Sequence, residues 1–309
     1  MIKVSVVIPT FNRAKLLAET ILSALGQTLA DREIIVVDDG STDDTSEVVK
    51  TFQDRVIYIR QPNSGPAKAR NTGLRMAKGK YVAFLDSDDL WLPEKLELQY
   101  QLIEQSLNLG LIFTDVMWFS NGRVMLPSLR EKYQLHTGEV FEKLLFDNWI
   151  ATSSVLVRRE CLDEVGGFDE DPQIMYVEDW NLWIRLAHRY QFAMVDKVLV
   201  KRRYHQNRLG LVNPEKQFKA ILYNLEKLRR SYPELKNKAE LFSQKYYQIG
   251  FQRGYEDLNV FEPQKARSKF ALALRHKKDL KVLFFYLLTF LPQELLRVGK
   301  RMVKLFKGR

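Results

Sequence analysis

The sequence predicts an α/β protein, with a doubly wound, mostly parallel sheet followed by an all-helical C-terminal region. Three observations carry this prediction. Short apolar runs alternate with helical patterns along the first 105 residues, which is the order of a parallel sheet with right-handed crossovers. Polar clusters follow three of these runs directly. After about Asn213 only helical patterns remain, and we therefore expect two domains, residues 1–212 and 213–309.

The strands are predicted from apolar runs of strand length that are rich in β-branched and aromatic residues. They are expected at Lys3–Pro9, Glu33–Val37, Val56–Ile59, Tyr81–Leu85, Leu111–Phe119, Ala151–Val157 and Phe192–Val200. Apolar residues at helical spacing predict helices over 14–25, 93–105 and 177–190, and a further helix that ends at Met76. Residues 120–148 show loop signals and no clear period. In the C-terminal region we expect helices at 214–231, 234–256, 263–275 and from 279 onward.

Composition and charge exclude some classes of protein. The chain has 309 residues and one cysteine, Cys161, which excludes an internal disulfide framework and fits a reducing compartment. No apolar run approaches the roughly 20 residues of a membrane-spanning helix. The net charge is +10, but residues 276–309 carry nine Lys and Arg against Asp279 and Glu294, so +7 belongs to this tail. We expect a cytoplasmic protein, peripheral at the cytoplasmic face of the membrane.

The basic tail has an amphipathic pattern. Beyond Pro292, apolar residues recur at helical spacing and basic residues fill the opposite face. A helix of this kind lies in the interface of an anionic membrane, which is therefore an expected partner. The alternative is a helix packed on the body of the protein with a solvated basic face. The oligomeric state stays open.

A cluster of acids follows the strand that begins at Tyr81. The segment YVAFLDSDDLW runs from five mostly apolar residues into Asp86, Asp88 and Asp89. Acids at the end of a buried strand are costly unless a cation or hydrogen-bond donors neutralise them. Oxygen ligands on a short turn suit Mg²⁺ or Mn²⁺, which usually shares its shell with phosphates. The alternative is a solvated acidic turn before the helix near Pro93.

Six motifs in a fixed order give the chain a family resemblance. They are VVIPTFNR at 6–13, VDDGSTDDT at 37–45, GPAKARNTG at 65–73, GKYVAFLDSDD at 79–89, GGFDE at 166–170 and EDW at 178–180. Over about residues 1–210 the chain resembles the family 2 glycosyltransferases, which have the Rossmann-like GT-A fold. The resemblance implies a hexosyltransferase-like enzyme with a nucleotide-activated, usually UDP-linked, sugar donor. It also implies a divalent metal, Mn²⁺ or Mg²⁺, and inversion at the anomeric carbon.

The resemblance implies roles at the donor site. Asp88 is the expected metal ligand, with Asp86 nearer the ribose or the outer metal shell and Asp89 orienting its neighbours or capping a helix. His205, in YHQN after the last strand, matches a histidine that completes the metal shell. Asp39 is expected to bind the nucleotide and Asp38 lies beside it, or both serve the turn that follows. The other expected donor-site residues are Pro9, Thr10 and Asn12 around the base, and Lys68, Arg70 and Asn71 as donors to the anionic substrate.

Inversion in one displacement needs a base that takes the proton of the acceptor hydroxyl. By resemblance Asp179 is this base, and Glu178 is a neighbour that touches the acceptor. The alternative is that both are favourable carboxylates in the first turn of a helix. Trp180 could stack on a sugar ring, although a tryptophan on a helix face more often belongs to the core.

Three functions compete at this point. The first is a glycosyltransferase of cell-surface polysaccharide or glycolipid synthesis that acts on a glycan or lipid-linked acceptor. The second is another nucleotide-sugar enzyme, such as a nucleotidyltransferase, but the loop PTFNR lacks the Gly-rich character which that chemistry favours. The third is a nucleic-acid-binding protein, but the basic excess is confined to the tail and no recognition motif occurs, so we expect no nucleic-acid partner.

Overall fold

The computed structural model describes residues 2–205 and 213–292. The chain divides into two compact units, Met1–Ala220 and Ile221–Arg309. The domain boundary expected between residues 212 and 213 adjoins the undescribed residues 206–212 and stays a prediction. The amphipathic pattern beyond Pro292 also lies outside the described residues.

The described part of the first unit contains a mixed sheet of nine strands. They are β1 (Val4–Thr10), β2 (Arg32–Asp38), β3 (Ile57–Arg60), β4 (Tyr81–Phe84), β5 (Leu90–Trp91), β6 (Leu109–Ser120), β7 (Arg123–Leu126), β8 (Leu156–Arg158) and β9 (Gln191–Arg203). The strand order is β3-β2-β1-β4-β8-β6-β9-β5, with β7 paired to β6. The first four strands of this order are parallel, as predicted.

The other half of the sheet is less regular than the sequence patterns suggest. Strand β8 runs antiparallel to both β4 and β6, whereas β9 runs parallel to β6 along most of its length. The two-residue strand β5 pairs antiparallel with β9. This arrangement brings the end of β9 beside the acidic turn that follows β4, because β5 belongs to that turn region.

The helices of the first unit are α1 (Ala14–Leu25), α2 (Thr45–Lys50), α3 (Pro66–Met76), α4 (Lys95–Ile103), α5 (Phe141–Phe146), α6 (Arg159–Val165) and α7 (Glu178–Ala187). Helices α1, α3, α4 and α7 lie close to their predicted bounds, whereas α5 lies in residues 120–148, where no helix was predicted. The bounds of α1 are as predicted, since its apolar residues at 17, 21 and 24 are fully buried against the sheet.

The strand predicted at Ala151–Val157 is wrong over its first half. Thr152–Ser154 forms a 3₁₀ turn, and only Leu156–Arg158 is a strand. A run of Thr, Ser and Val has strand propensity, but hydroxyl side chains also compete for local backbone groups. Here the Ser154 hydroxyl donates to the Ala151 carbonyl at 2.7 Å and stabilises the turn.

The second unit is helical, as predicted. Helix α8 (Pro214–Ser231) crosses the boundary between the units, and α9 (Ala239–Asn259), α10 (Pro263–His276) and α11 (Leu280–Leu288) follow. Residues 233–238, which were expected to begin a helix, form a 3₁₀ turn before α9. Within residues 2–205 and 213–292, none of the helices combines the length and apolar character that crossing a membrane requires.

Helix α3 lies unusually close to the sheet, and this position matters because α3 carries Arg70 and Asn71. A Cβ added at Gly73 would lie 2.3 Å from Val7 Cγ1 and 3.3 Å from Val37 Cγ2. Both valines belong to buried central strands and have no room to withdraw. The close approach therefore requires glycine at this position.

We expect Gly73→Ala to lower the thermal stability of the protein. Alanine is favoured over glycine in a helix by about 1 kcal/mol, but overpacking against a buried strand costs about 1–3 kcal/mol. The net loss should lower the Tm by a few degrees in differential scanning calorimetry. Arg75→Ala, at an exposed position of the same helix, is the matched control and should leave the Tm nearly unchanged. An equal Tm for the two variants would contradict this account of the packing.

Candidate active site

The carboxyl ends of β1 and β2 are joined by hydrogen bonds between their following loops. The Asp39 N–H donates to the Thr10 carbonyl at 2.8 Å. The Asn12 side chain accepts from the Thr42 N–H at 2.8 Å, and the Asn12 N–H donates to the Ser41 hydroxyl at 2.9 Å. Asn12 has a φ of +51°, a conformation that asparagine tolerates better than most residues. The two loops therefore form one rigid edge of the site.

Thr10 and Pro9 lie at the end of β1, under this edge. Pro9 is buried in register with Val37. Thr10 is also buried, and its hydroxyl finds no hydrogen-bond partner among the described residues. A buried hydroxyl without a partner is uncommon and suggests a group that a ligand satisfies.

The two acids after β2 serve the protein's own loops. Asp38 accepts from the Ser41 N–H at 2.8 Å and from the Tyr58 hydroxyl at 2.6 Å. Each of its carboxylate oxygens accepts a bond from the protein, so Asp38 supports the turn after β2, and its expected role in nucleotide binding stays a prediction. Burial, and then the bond to Asp38, raises the pKa of Tyr58.

Asp39 holds the loop that leads into α3. One carboxylate oxygen accepts from the Gln61 side chain at 2.7 Å and from the Ser64 N–H at 2.9 Å. The other accepts from the Gly65 N–H at 2.8 Å. Asp39 therefore places the start of α3, and its second oxygen accepts a single bond from the described residues.

The acidic turn after β4 meets the end of β9. The Asp88 Oδ2 lies 2.8 Å from His205 Nε2 and 3.8 Å from Arg13 Nε. Burial alone raises the pKa of the Asp88 carboxyl, but His205, Arg13 and Arg202 outweigh it and hold the pKa below its usual value. Asp88 and His205, two of the three predicted metal ligands, are thus adjacent.

Asp89 is buried behind this pair and orients its neighbours, and it does not cap α4. It accepts from the Ser153 hydroxyl at 2.7 Å and from the Arg203 N–H at 3.1 Å. Burial, together with the charges of Asp88 and Asp86, raises its pKa well above the usual value. The turn therefore contains one acid with a lowered pKa and one with a raised pKa.

Arg70 joins the acidic turn to the start of α7. Its Nη2 donates to Asp86 Oδ1 at 2.8 Å, and its Nη1 donates to Glu178 Oε1 at 2.9 Å. The guanidinium also lies 5.2 Å from the centroid of the Phe168 ring. Its Nε–H is buried and has no acceptor within the described part of the chain. Arg70 is therefore a buried cation that pairs with two acids and keeps an Nε–H that is unsatisfied among the described residues.

The other two predicted donors on α3 lie in different surroundings. Lys68 is exposed. The Asn71 amide uses both of its N–H donors within the protein, on the Phe168 carbonyl and on Glu170, each at 2.8 Å. Its oxygen accepts from the Phe168 N–H at 2.9 Å. These contacts fix the GGFDE loop against α3, and the expectation that Asn71 donates to the substrate stays a prediction.

The two acids at the start of α7 differ in what they contact. Glu178 is buried, and its carboxylate accepts from Arg70 and, at 2.9 Å, from the Tyr176 N–H. Each oxygen thus accepts one bond within the protein, and the expected contact of Glu178 with the acceptor stays a prediction. Asp179 is partly buried and accepts from the Thr152 hydroxyl at 3.0 Å. Burial, followed by the charge of Glu178, raises the pKa of Asp179 to about 6, although Arg70 opposes this shift.

Three residues of the site were missed by reasoning from the sequence. Ser153 accepts from the Asp86 N–H at 3.1 Å and donates to Asp89, while its neighbour Thr152 donates to Asp179. This 3₁₀ turn therefore contacts both acidic segments. Arg203 donates its Nε–H to the Asp88 carbonyl at 3.1 Å. The adjacent Thr and Ser at 152–154 were the available signal, but the pattern favoured a strand.

Trp180 is buried, with its Nε1–H donated to the Leu144 carbonyl.

The donor set fits a divalent cation that shares its shell with a substrate. Among residues 2–205 and 213–292, no three His, Cys, Asp or Glu side chains are grouped to hold a metal ion by themselves. Asp86, the third predicted ligand, has its carboxylate paired with Arg70. One carboxylate and one imidazole remain adjacent, and Mg²⁺ or Mn²⁺ is often bound by one or two side chains plus phosphates.

The chain is similar to a known protein family and to curated relatives. The family model for glycosyl transferase family 2 matches residues 5–165. An uncharacterized glycosyltransferase of Rickettsia bellii is 36% identical over 222 residues, which is 71% of this chain and 31% of the relative. The chain therefore spans about a third of the length of this curated relative.

Solved structures with the same fold include one with UDP bound and one with a nucleotide sugar bound. S. aureus TarS 1-349 in complex with UDP matches with a TM-score of 0.67 and 23% identity, covering 96% of this chain and 92% of that one. The mannosyltransferase PcManGT from Pyrobaculum calidifontis, in complex with GDP-Man and Mn²⁺, has a TM-score of 0.61 and 21% identity, covering 97% and 80%. These likenesses confirm the GT-A fold class that the motifs predict.

The raised pKa of Asp179 predicts a stability effect with a definite pH dependence. Its pKa is about 6 in the folded protein and near 4 when unfolded, so ionised Asp179 destabilises the fold. This cost is absent below about pH 4, grows between pH 4 and 6, and is constant above. Asp179→Asn, which cannot ionise, should therefore have a Tm at or above that of the wild type at pH 7.5.

The measurement is the difference in Tm between Asp179→Asn and the wild type, by scanning calorimetry at pH 4.5 and 7.5. We expect this difference to be more positive at pH 7.5. Subtracting the wild type at each pH removes the contribution of other acids. A difference that does not change with pH would show that the carboxyl titrates normally.

Proposed function

The chain belongs to glycosyl transferase family 2, and from this membership we propose that it is an inverting, metal-dependent glycosyltransferase. It moves a sugar from a nucleotide diphosphate donor, with UDP as the nucleotide, to a hydroxyl of a glycan or lipid-linked acceptor. The observation that carries the proposal is the connection of the β4 turn to the start of α7. Arg70 and the Thr152–Ser153 turn each contact both acidic segments.

The donor diphosphate binds at the turn after β4. Asp88 and His205 would hold Mn²⁺ or Mg²⁺, with the diphosphate oxygens completing the shell. When bound, the metal stabilises the negative charge that develops on the leaving phosphate. Asp86 lies beside these ligands and keeps Arg70 in place. The unpaired Nε–H of Arg70 is a further donor for an anion.

The nucleotide binds along the edge formed by the loops after β1 and β2. Thr10 offers a buried hydroxyl that lacks a partner among the described residues. Asn12 and Asp39 shape this edge through their bonds to the two loops, and Asp39 keeps acceptor capacity on one oxygen. Lys68, exposed at the start of α3, adds positive charge for the phosphates.

Asp179 is the general base of the transfer. The acceptor oxygen forms a bond to the anomeric carbon as the bond to the diphosphate oxygen breaks, and the hydroxyl proton passes to the Asp179 carboxylate. A pKa of about 6 suits this role, because the carboxylate is ionised at neutral pH and yet more basic than an ordinary aspartate. Thr152 and the start of α7 orient it, and Glu178 acts indirectly by holding Arg70.

Family membership favours the first of the three functions that the sequence allowed. A nucleotidyltransferase or a nucleic-acid-binding protein would leave the acids of α7 without a role in the chemistry. The metal of the mannosyltransferase complex and the UDP of the TarS complex support a metal and a uridine nucleotide here. From the same family resemblance we infer that the acceptor belongs to cell-surface polysaccharide or glycolipid synthesis.

The proposal predicts metal-dependent turnover of a nucleotide sugar. We expect slow hydrolysis of a UDP-sugar in Mn²⁺ that stops with EDTA, measured as release of UDP across a panel of UDP- and GDP-sugars. Asp88→Asn should hydrolyse the UDP-sugar about 10²–10³-fold more slowly than the wild type, because a charge-stabilising group is removed while the fold survives. Asp54→Asn, at an exposed position, is the control and should keep the wild-type rate.

The role of Asp88 fails if Asp88→Asn keeps its activity at saturating Mn²⁺. The wider proposal fails if no sugar of the panel is turned over by the wild type. Isothermal titration of UDP with and without Mn²⁺ separates the two outcomes, because nucleotide binding does not require an acceptor.

The pKa of Asp179 also predicts the pH profile of transfer. At saturating Mn²⁺, kcat/KM should fall about tenfold for each pH unit below 6, because the base becomes protonated. Above this pH the rate should reach a plateau. Asp179→Asn should be slower by about 10²–10⁴ and should lack this acid limb. A wild-type limb centred near pH 4 would contradict the assignment.

A further inference from the structure

Helix α11 presents an apolar stripe to solvent. Leu280, Leu283, Phe284 and Leu287 recur at positions i, i+3, i+4 and i+7, the spacing of a single helix face. Their exposed fractions are 85%, 40%, 57% and 57%. Phe290 and Leu291, just past the end of the helix, are 55% and 42% exposed. We call the four residues Leu280, Leu283, Phe284 and Leu287 the α11 apolar face.

The opposite side of α11 is anchored to the second unit. Val282 is fully buried in a cluster with Phe270 and Ala273 of α10. Asp279 caps the helix by accepting from the Lys281 and Val282 N–H groups, at 2.9 and 3.2 Å. The orientation of the helix is therefore fixed by packing and capping. Its exposed stripe is a stable property of the fold.

The C-terminal end of α11 is also anchored to α10. Arg267 donates to the Thr289 carbonyl at 2.7 Å. Its guanidinium lies 3.9 Å from the centroid of the Phe290 ring. A cation that lies over an exposed aromatic ring keeps positive charge beside the apolar surface.

Positive charge surrounds the α11 apolar face. Lys277, Lys278 and Lys281 are exposed at its N-terminal end. In the sequence, residues 293–309 follow directly and contain six Lys and Arg with one acid, Glu294. An apolar stripe bordered by cations is the pattern of a helix that lies in the interface of an anionic bilayer.

We propose that the α11 apolar face docks the protein on an anionic lipid bilayer, with its Leu and Phe side chains among the acyl chains and the lysines at the headgroups. A second copy of this chain is a poorer occupant. Each copy would contribute the exposed Lys277, Lys278 and Lys281, whereas none of the four residues of the face is acidic, so pairing of two faces gains nothing from these charges. An anionic bilayer, in contrast, attracts each of these lysines.

Membrane docking would concentrate the enzyme where a lipid-linked acceptor is found. Only this consequence rests on the proposed function. The docking itself depends on α11 and its charges, and it can be tested without turnover.

The test is sedimentation of the full chain with vesicles of phosphatidylcholine containing 30% phosphatidylglycerol, compared with pure phosphatidylcholine vesicles. The test variant is Phe284→Glu/Leu287→Glu, and Leu107→Glu, at a leucine of the first unit that is 84% exposed, is the matched control. We expect the wild type and the control to bind the anionic vesicles and the double variant to bind at least about tenfold more weakly. Binding should weaken on neutral vesicles and in high salt.

Circular dichroism and the rate of UDP-sugar hydrolysis check that the double variant is folded, since neither residue belongs to the catalytic site. Failure of the proposed function would remove hydrolysis from all three proteins and leave the lipid result readable.

Equal binding of the double variant and the wild type would overturn the proposal. So would a wild-type dimer, seen by light scattering, that the double variant converts to a monomer without any binding to lipid. If the full chain fails to bind but a chain ending at residue 292 does bind, then the tail covers the face and the proposal is wrong for the intact protein.

Discussion

The guanidinium of Arg70 is the interaction on which the candidate site depends. It lies between Asp86 and Glu178, two acids from segments 92 residues apart in the chain, and it is almost fully buried. Removing one partner from a buried ion pair is costly, because it leaves an uncompensated charge. Here one cation compensates two acids, so the turn after β4 and the start of α7 must be in place together. The close approach of α3 to the sheet at Gly73 brings Arg70 to this position.

Around this cation, neighbouring acids are held in different states by their surroundings. Asp88 contacts His205 and keeps a low pKa, whereas Asp89, one residue along, is enclosed and has a raised one. Burial and the charge of Glu178 raise the pKa of Asp179 to about 6. The same chemical group thus has a different pKa at each of these positions, because burial and neighbouring charge differ between them.

Sequence reasoning predicted the bounds of β1 to β4 to within a residue, since a run of mostly apolar residues marks each of these strands. It also predicted which acids meet at the sheet edge. It could not predict which donor reaches which acceptor. Asp38 and Asn71 make hydrogen bonds within the protein, and no sequence pattern reveals these partners. The turn at Thr152–Ser154 was missed because its composition suits a strand, and its hydroxyls acquire their role only when β8 pairs between β4 and β6.

The position of His205 at the end of the last strand has a consequence for synthesis on the ribosome. Asp88 and His205 are separated by 117 residues. At translation rates of about 5–20 residues per second, the acidic turn emerges roughly 6–23 s before the strand that delivers its counterpart. During this interval the nascent chain carries a row of carboxylates without imidazole or backbone partners. The pair of side chains that we propose as metal ligands can therefore form only after the first unit is nearly fully translated.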